Sequence, residues 1–289
     1  MKKLVLSLVI GSFVLSGCKH TPKDEPEFER QVTIQCTVNS TFSSYLKSTD
    51  PQDVVIDEVI LYGVDNTGAV ITIFDEIDVT EITSTTGTDI RMSSKITTLY
   101  AVANPTDDMD SDPKTVDDLT SMICDYTLRP VTSFVMSGSE AVSSNIVIDL
   151  ERAIAKIEVK GEDLSGFDVT AVTVRNTPTK GYVFPQTPLD VSSFSKTNYV
   201  VDLYSPLYVA ENTTDSPTTL TVTGTYETKT YSVNVDFKVL GALVPIERNK
   251  CYIVTIVPNP DPGQEYNVKV EILEWTDVNI DPQEVDIEF

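Results

Sequence analysis

The chain is almost without histidine: His20 is the only one among 289 residues. Catalytic triads that use histidine, and metal sites that contain it, are therefore excluded. Trp275 is the sole tryptophan, and neither a Gly-rich phosphate loop nor a G-x-S-x-G turn occurs. Basic residues are also few. Lys and Arg number 21 against 44 Asp and Glu, a formal net charge of −23. Phosphate contacts need a basic footprint, so no nucleic-acid partner is expected. Such a surplus of negative charge keeps an exported surface soluble and self-repelling. With carboxylates this abundant, no acid–base pair stands out, and we expect no catalytic residue, metal or cofactor.

The first twenty residues read MKKLVLSLVIGSFVLSGCKH. Two lysines precede an apolar run from Leu4 to Leu15, too short to span a bilayer and typical of a secretory signal. It ends in Leu15-Ser16-Gly17-Cys18, which resembles the lipobox of bacterial lipoproteins and marks Cys18 for acylation. Residues 19–30 are charged and carry two prolines; they read as a tether between lipid and fold. Lys19 after the cysteine points to outer-membrane retention, and Lys23-Asp24-Glu25 to surface exposure.

Cys36, Cys124 and Cys251 remain, an odd number that makes no disulfide framework. Cys36 shares a strand face with Val32, Ile34 and Val38, as a buried thiol does. A Cys36–Cys124 bridge stays open as a pairing in an oxidising compartment.

About 260 residues follow the tether, room for two ordinary domains. Short alternating runs recur between turn signals. Strands are expected at 31–38, 53–64, 95–104, 131–138 and 145–150, with a hairpin loop at Asn66-Thr67-Gly68. One segment differs: Val116, Leu119, Met122 and Ile123 have helical spacing behind a Thr115/Asp118 capping box, which predicts one short helix. In the second half, strands are expected at 153–159, 169–175, 181–184, 218–226, 230–239, 250–257 and 266–275. Strands in that number without a long helix indicate β-sandwiches.

The stretch DLERAIAKIEVKG, from Asp149 to Gly161, fits either a helix or two strands. Phase decides between them. Ile146, Ile148 and Leu150 are even-numbered, whereas Ala153, Ala155, Ile157 and Val159 are odd. One strand cannot change parity without a bulge or a change of sheet. A strand therefore ends near Leu150 and another begins near Ala153, at a domain junction. The expected division is signal 1–18, tether 19–30, N-terminal sandwich 31–151 and C-terminal sandwich 152–289.

Asp108, Asp110 and Asp112 have calcium-loop spacing, but Pro113 stands where such a loop needs Gly, and Leu119 where it needs a bidentate Glu. A solvated acidic loop is expected there. Trp275 is expected in a core or between domains.

Taken together, several segments resemble the fimbrillin family of type V pilins. They are the lipobox at Cys18, TLYAVANP ending at Asn104-Pro105, and FVMSG at 134–138 followed by IDLERAIAKIEV. LYVAENTT at 207–214, ERNKCYIVTI at 247–256 and the strand VKVEILEW complete the set. The resemblance implies an all-β chain of two consecutive transthyretin-like β-sandwich domains without enzymatic activity. It places Arg152 and Lys156 at the junction. It also implies a fimbrial subunit, exported as a lipoprotein to the outer membrane and cell surface, with other fimbrial subunits as partners.

In that family a protease removes the lipid with the first strand, and the groove so opened accepts a neighbour's C-terminal strand. Here the groove strand is Val32, Ile34, Cys36 and Val38. The donor candidate lies in the tail 278–289, where Val285, Ile287 and Phe289 alternate with acids; that the tail instead finishes its own domain stays open. One departure matters. The loop after the first strand, about 39–53, holds Lys47 but no arginine, and Arg30 is expected ahead of the strand. Cleavage at Lys47, another protease, or no cleavage all stay open. An uncleaved chain would be a lipid-anchored basal subunit. A monomeric surface lipoprotein binding a glycan or host protein is the rival from another class.

Overall fold

A computed structural model of the chain describes residues 29–38, 55–107, 109, 112–126, 133–161, 167–201, 207–226, 228–257 and 267–274. In the first half the elements are β1 (Glu29–Val38), β2 (Val59–Asp65), β3 (Val70–Phe74), α1 (Val79–Ile82), β4 (Thr88–Ser93), β5 (Ile96–Ala103), α2 (Val116–Thr120), β6 (Ile123–Asp125), β7 (Met136–Ala141) and β8 (Asn145–Arg152). The second half holds β9 (Ile154–Gly161), β10 (Phe167–Pro178), β11 (Lys180–Tyr182), β12 (Lys196–Val201), β13 (Leu207–Ala210), β14 (Thr219–Tyr226), β15 (Lys229–Asp236), β16 (Lys238–Val239), β17 (Ala242–Leu243), β18 (Lys250–Val257) and β19 (Asn267–Glu274). The chain is all-β, as its alternating runs predict.

The first sandwich is one ladder, β3-β2-β5-β7-β8-β1-β4, folded over on itself. β7 and β8 pair only at Met136–Arg152 and Ser137–Glu151 and then part. Gly138 stands where they diverge: a Cβ there would lie 2.3 Å from the Asp149 carbonyl oxygen. Across this fold the two halves share one core, built from Val32, Ile34, Cys36, Leu61, Leu99, Ile146, Ile148 and Leu150. Each such side chain stabilises the fold by about 1.5–3 kcal/mol on burial.

The second sandwich packs β12-β10-β14-β15 against β13-β9-β18-β19. Its core holds Ile157, Val174, Val209, Leu220, Val222, Tyr252 and Val254. A third cluster joins the sandwiches. It packs Tyr62 and Val102, from the outer face of the β2–β5 pair, with Leu119, Met122, Cys124, Phe134, Val183, Phe184 and Tyr208. β6 and β11 also pair across the halves, Cys124 opposite Gly181.

Several expectations need correction. β2 begins at Val59 rather than at 53, and residues 55–58 are not strand. The helix predicted from Val116 to Ile123 stops at Thr120; Ile123 belongs to β6, because the Met122 carbonyl accepts from the Val183 N–H at 2.9 Å. Its capping box is present, with the Thr115 side chain accepting from the Asp118 N–H and the Asp118 side chain accepting from the Thr115 N–H. A second one-turn helix, α1, was not expected; the Asp78 carboxylate caps it by accepting from Thr80 and Glu81 N–H. β4, β12 and β13 were likewise unforeseen. Arg30 does not precede the first strand: it lies inside β1, opposite Met92, with its guanidinium donating to the Ile96 carbonyl. Cys36, Cys124 and Cys251 are buried and in no disulfide, and Cys36 and Cys124 belong to different clusters. No Cys36–Cys124 bridge forms.

Replacing Gly138 with alanine forces a methyl group against a backbone carbonyl, and β7 and β8 must part to admit it. G138A should lose about 1–3 kcal/mol of stability, read as a lower urea midpoint; an unchanged midpoint would show that the corner is not tightly closed.

Candidate functional site

β1 enters the first sandwich as a wedge. Its N-terminal half pairs antiparallel with β4, Glu29 to Ile34 against Ser93 to Thr88. Its C-terminal half runs parallel to β8, Thr33 to Val38 beside Asn145 to Leu150. Among the described residues nothing else joins β4 to β8 in the ladder, so β1 closes that sheet.

Alternation sets what each face does. Val32, Ile34 and Cys36 are buried to 3% exposure or less, while Arg30 and Val38 are half-buried at the two ends. On the opposite face, Gln31 Nε2 and Thr33 Oγ1 donate to the two oxygens of Asp89 on β4, at 2.8 and 2.7 Å. Thr37 Oγ1 donates to Asp149 Oδ1 on β8 at 2.6 Å. One aspartate on each flanking strand thus holds the outer face of β1. Burial pushes the Cys36 thiol up to about 12, so the reactive thiolate is suppressed.

Arg152 and Lys156 sit at the junction with almost no exposure, at 0% and 2%. β8 ends at Arg152, and β9 begins two residues later. Arg152 Nη1 donates to Asn249 Oδ1 at 3.1 Å, and the Asn249 N–H donates to the Ile154 carbonyl at 2.9 Å. Asn249 takes a left-handed backbone, φ 54°, which asparagine tolerates better than most residues. Lys156 Nζ lies 3.1 Å from Glu158 Oε1.

The residue beside Asn249 completes a second latch. Arg248 Nε donates to Glu211 Oε2 at 2.8 Å, while Nη1 and Nη2 donate to the carbonyls of Val183 and Tyr182, both at 2.8 Å. Asn212 follows Glu211 and is fully buried; its Nδ2 donates to the carbonyls of Asn176 and Ser216 at 3.0 and 2.8 Å. Asn104, φ 53°, pinches the first sandwich shut: its Oδ1 accepts from the Asp57 N–H and its Nδ2 donates to the Val55 and Phe134 carbonyls, all at 2.8 Å. Glu211, Arg248 and Asn249 were not singled out from sequence, although the strings LYVAENTT and ERNKCYIVTI contain them.

Cys18, Lys47, Trp275, Asp108, Asp110 and the tail residues Val285, Ile287 and Phe289 lie outside the described residues. Asp112 is ion-paired with Lys114.

No family model and no curated protein matches the chain. Solved structures do. A fimbrial assembly protein from Parabacteroides distasonis is similar at 14% identity, with a TM-score of 0.60 over 85% of this chain and 96% of that one. The tip fimbrial protein Mfa3 from Porphyromonas gingivalis, C-terminally truncated, is similar at 14% identity, TM-score 0.55, over 86% of this chain and 100% of that one. The chain shares their fold across both sandwiches.

Two measurements test this geometry. R248A leaves the partly buried Glu211 and the Val183 and Tyr182 carbonyls without their donor, and should cost about 3 kcal/mol; adding E211Q should recover part of that loss in a double-mutant cycle. Additive effects would mean the pair is not coupled. Iodoacetamide at pH 8 should leave Cys36 unlabelled in the native chain and label it in urea; native labelling at the rate of a free thiol would contradict the buried, protonated state.

Proposed function

We propose that this chain is a structural subunit of a cell-surface fimbria. It is exported as a lipoprotein through Cys18 and assembles by accepting a neighbour's strand in place of β1. The observation that carries the reading is the position of β1. It is an amphipathic strand that opens the described fold, it alone among the described strands bridges β4 and β8, and it is followed by the segment that holds Lys47. The fold shared with a fimbrial assembly protein and a tip fimbrial protein supports the same reading.

The physical case is strand addition at an open sheet edge. Without β1, the backbones of β4 and β8 lose a ladder, and Met92, Ile146, Ile148 and Leu150 lose the side chains they pack on. Three buried apolar residues leave with the strand, at about 1.5–3 kcal/mol each. An open slot of that kind favours any extended segment that restores both ladder and core. The tail, with Val285, Ile287 and Phe289 in alternation, is the segment this subunit would donate onward.

The cut must fall after Val38. Cleavage after Arg30 would leave Gln31–Val38 in place, so it would free the lipid without opening the slot. Lys47 lies in the right interval. If no protease cuts there, the lipid stays on, and the chain serves as the basal anchor of the fimbria; the lack of arginine in residues 39–53 favours that second reading.

The test is strand exchange. The mature chain from Lys19 is clipped with a Lys-specific protease and incubated with a fluorescent peptide of residues 29–38. Clipped protein should take up the peptide into a stable complex on gel filtration, and intact protein should not. Clipped protein that never exchanges β1 would remove the main support for assembly by strand replacement.

A further inference from the structure

The outer face of β1 carries information that its apolar face does not. Register places Asp89, Arg91 and Ser93 of β4 on that face, beside Thr33, Gln31 and Glu29. From β8 come Asn145, Val147 and Asp149, beside Thr33, Gln35 and Thr37. Glu151 continues the same face two residues further along β8. The charged groups flanking β1 here are therefore Asp89, Asp149 and Glu151, with Arg91 as the one base. β1 answers them in kind. Thr33 and Gln31 both donate to Asp89, and Thr37 donates to Asp149. Its single outward acid, Glu29, stands at the Arg91 end.

The chain's own tail carries the opposite chemistry. In QEVDIEF, any register that points Val285, Ile287 and Phe289 inward points Glu284, Asp286 and Glu288 outward. Asp89 and Asp149 face positions four residues apart on β1, Thr33 and Thr37. Glu284 and Glu288 are also four apart, so two acids can stand against two aspartates that have lost their donors. Like charges opposite each other in a sheet are destabilising, and the two exposed aspartates would face carboxylates where the native strand offers them hydroxyl donors.

We propose that Asp89 and Asp149 select the strand that enters the slot, admitting one whose outward residues are hydroxyl, amide or basic and rejecting this chain's own acidic tail. The neighbour that fills the slot is then a different subunit, and the chain is a component of a mixed fimbria rather than the repeating unit of a homopolymer. This rests on the slot being opened by loss of β1.

The complementarity is testable first in the intact chain, with no cleavage. T33E/T37E should lower the urea midpoint below that of T33Q/T37Q, and D89N/D149N should restore it. Equal midpoints for the two Thr variants would overturn the proposal.

Exchange on the clipped chain supplies the second readout. Competitors for the labelled 29–38 peptide are the tail peptide 280–289 and its analogue with E284Q, D286N and E288Q. The analogue should compete about tenfold better at low salt, with the gap closing at high salt. D89N/D149N protein should close it as well, which separates these two aspartates from the general negative charge. If the 29–38 peptide exchanges but the gap persists in D89N/D149N, selection by the aspartates is overturned and strand replacement stands. If even the 29–38 peptide fails to exchange, strand replacement falls and takes this inference with it.

Discussion

The first sandwich depends on a parallel contact between its first strand and its last. β1 lies beside β8 from Thr33 to Val38, more than a hundred residues away in sequence. Without it the ladder is two pieces, because among the described strands β4 reaches the rest of the sheet only through β1. The second sandwich repeats the device: β9 opens it and runs parallel to β18, from Lys156–Gly161 to Cys251–Ile256. Parallel pairs need long crossovers, and here the crossover is the rest of the domain. The strand that completes each core is therefore also the strand most distant in sequence from its partner.

Between the sandwiches the chain uses a different chemistry. The junction cluster is apolar, with Phe134 against Tyr208 at 4.4 Å and Tyr100 edge-on to Phe184 at 5.5 Å. Around it Arg152, Arg248, Asn249 and Asn212 are buried and hydrogen-bonded, largely to backbone carbonyls and each other's neighbours. Such groups add little net stability over apolar packing, but each fixes a geometry that apolar residues would leave free. The Asn-Pro turn at 104, the Glu-Asn pair at 211 and the Arg-Asn pair at 248 are there for backbone geometry, and none forms a reactive constellation.

Much of this was legible because a half-buried strand alternates with period two. β1, β5, β8, β14 and β18 all stand where their alternation put them, within a few residues. Most of what escaped has non-local causes. Arg30 looks like tether, yet its Nη2 donates to a carbonyl 66 residues away. Met122 and Ile123 continue a helical spacing, but the Val183 N–H draws that backbone into a ladder instead. β13, Leu-Tyr-Val-Ala, is buried on both faces and so has no alternation to read. β4 does alternate, Asp89 and Arg91 outward and Ile90 and Met92 inward, but over so few residues, straight after the turn at Gly87, that the signal is easily passed over. The pairing of Asp89 and Asp149 with the outer face of β1 is non-local again, since register between distant strands decides it.

The separation of the three clusters bears on what the fold can tolerate. Val32, Ile34 and Cys36 contribute only to the first core; neither the second core nor the junction cluster contains a β1 residue. Loss of β1 would thus remove contacts from one of three packed regions and leave the others with all their members. The face that would be exposed is bordered by β2 and β5, and these remain paired with each other and packed on the junction through Tyr62 and Val102. A single continuous core would spread the loss of a strand through the whole molecule. Here the loss would stay on one side of one sandwich, and that is the physical condition the proposed replacement of β1 requires.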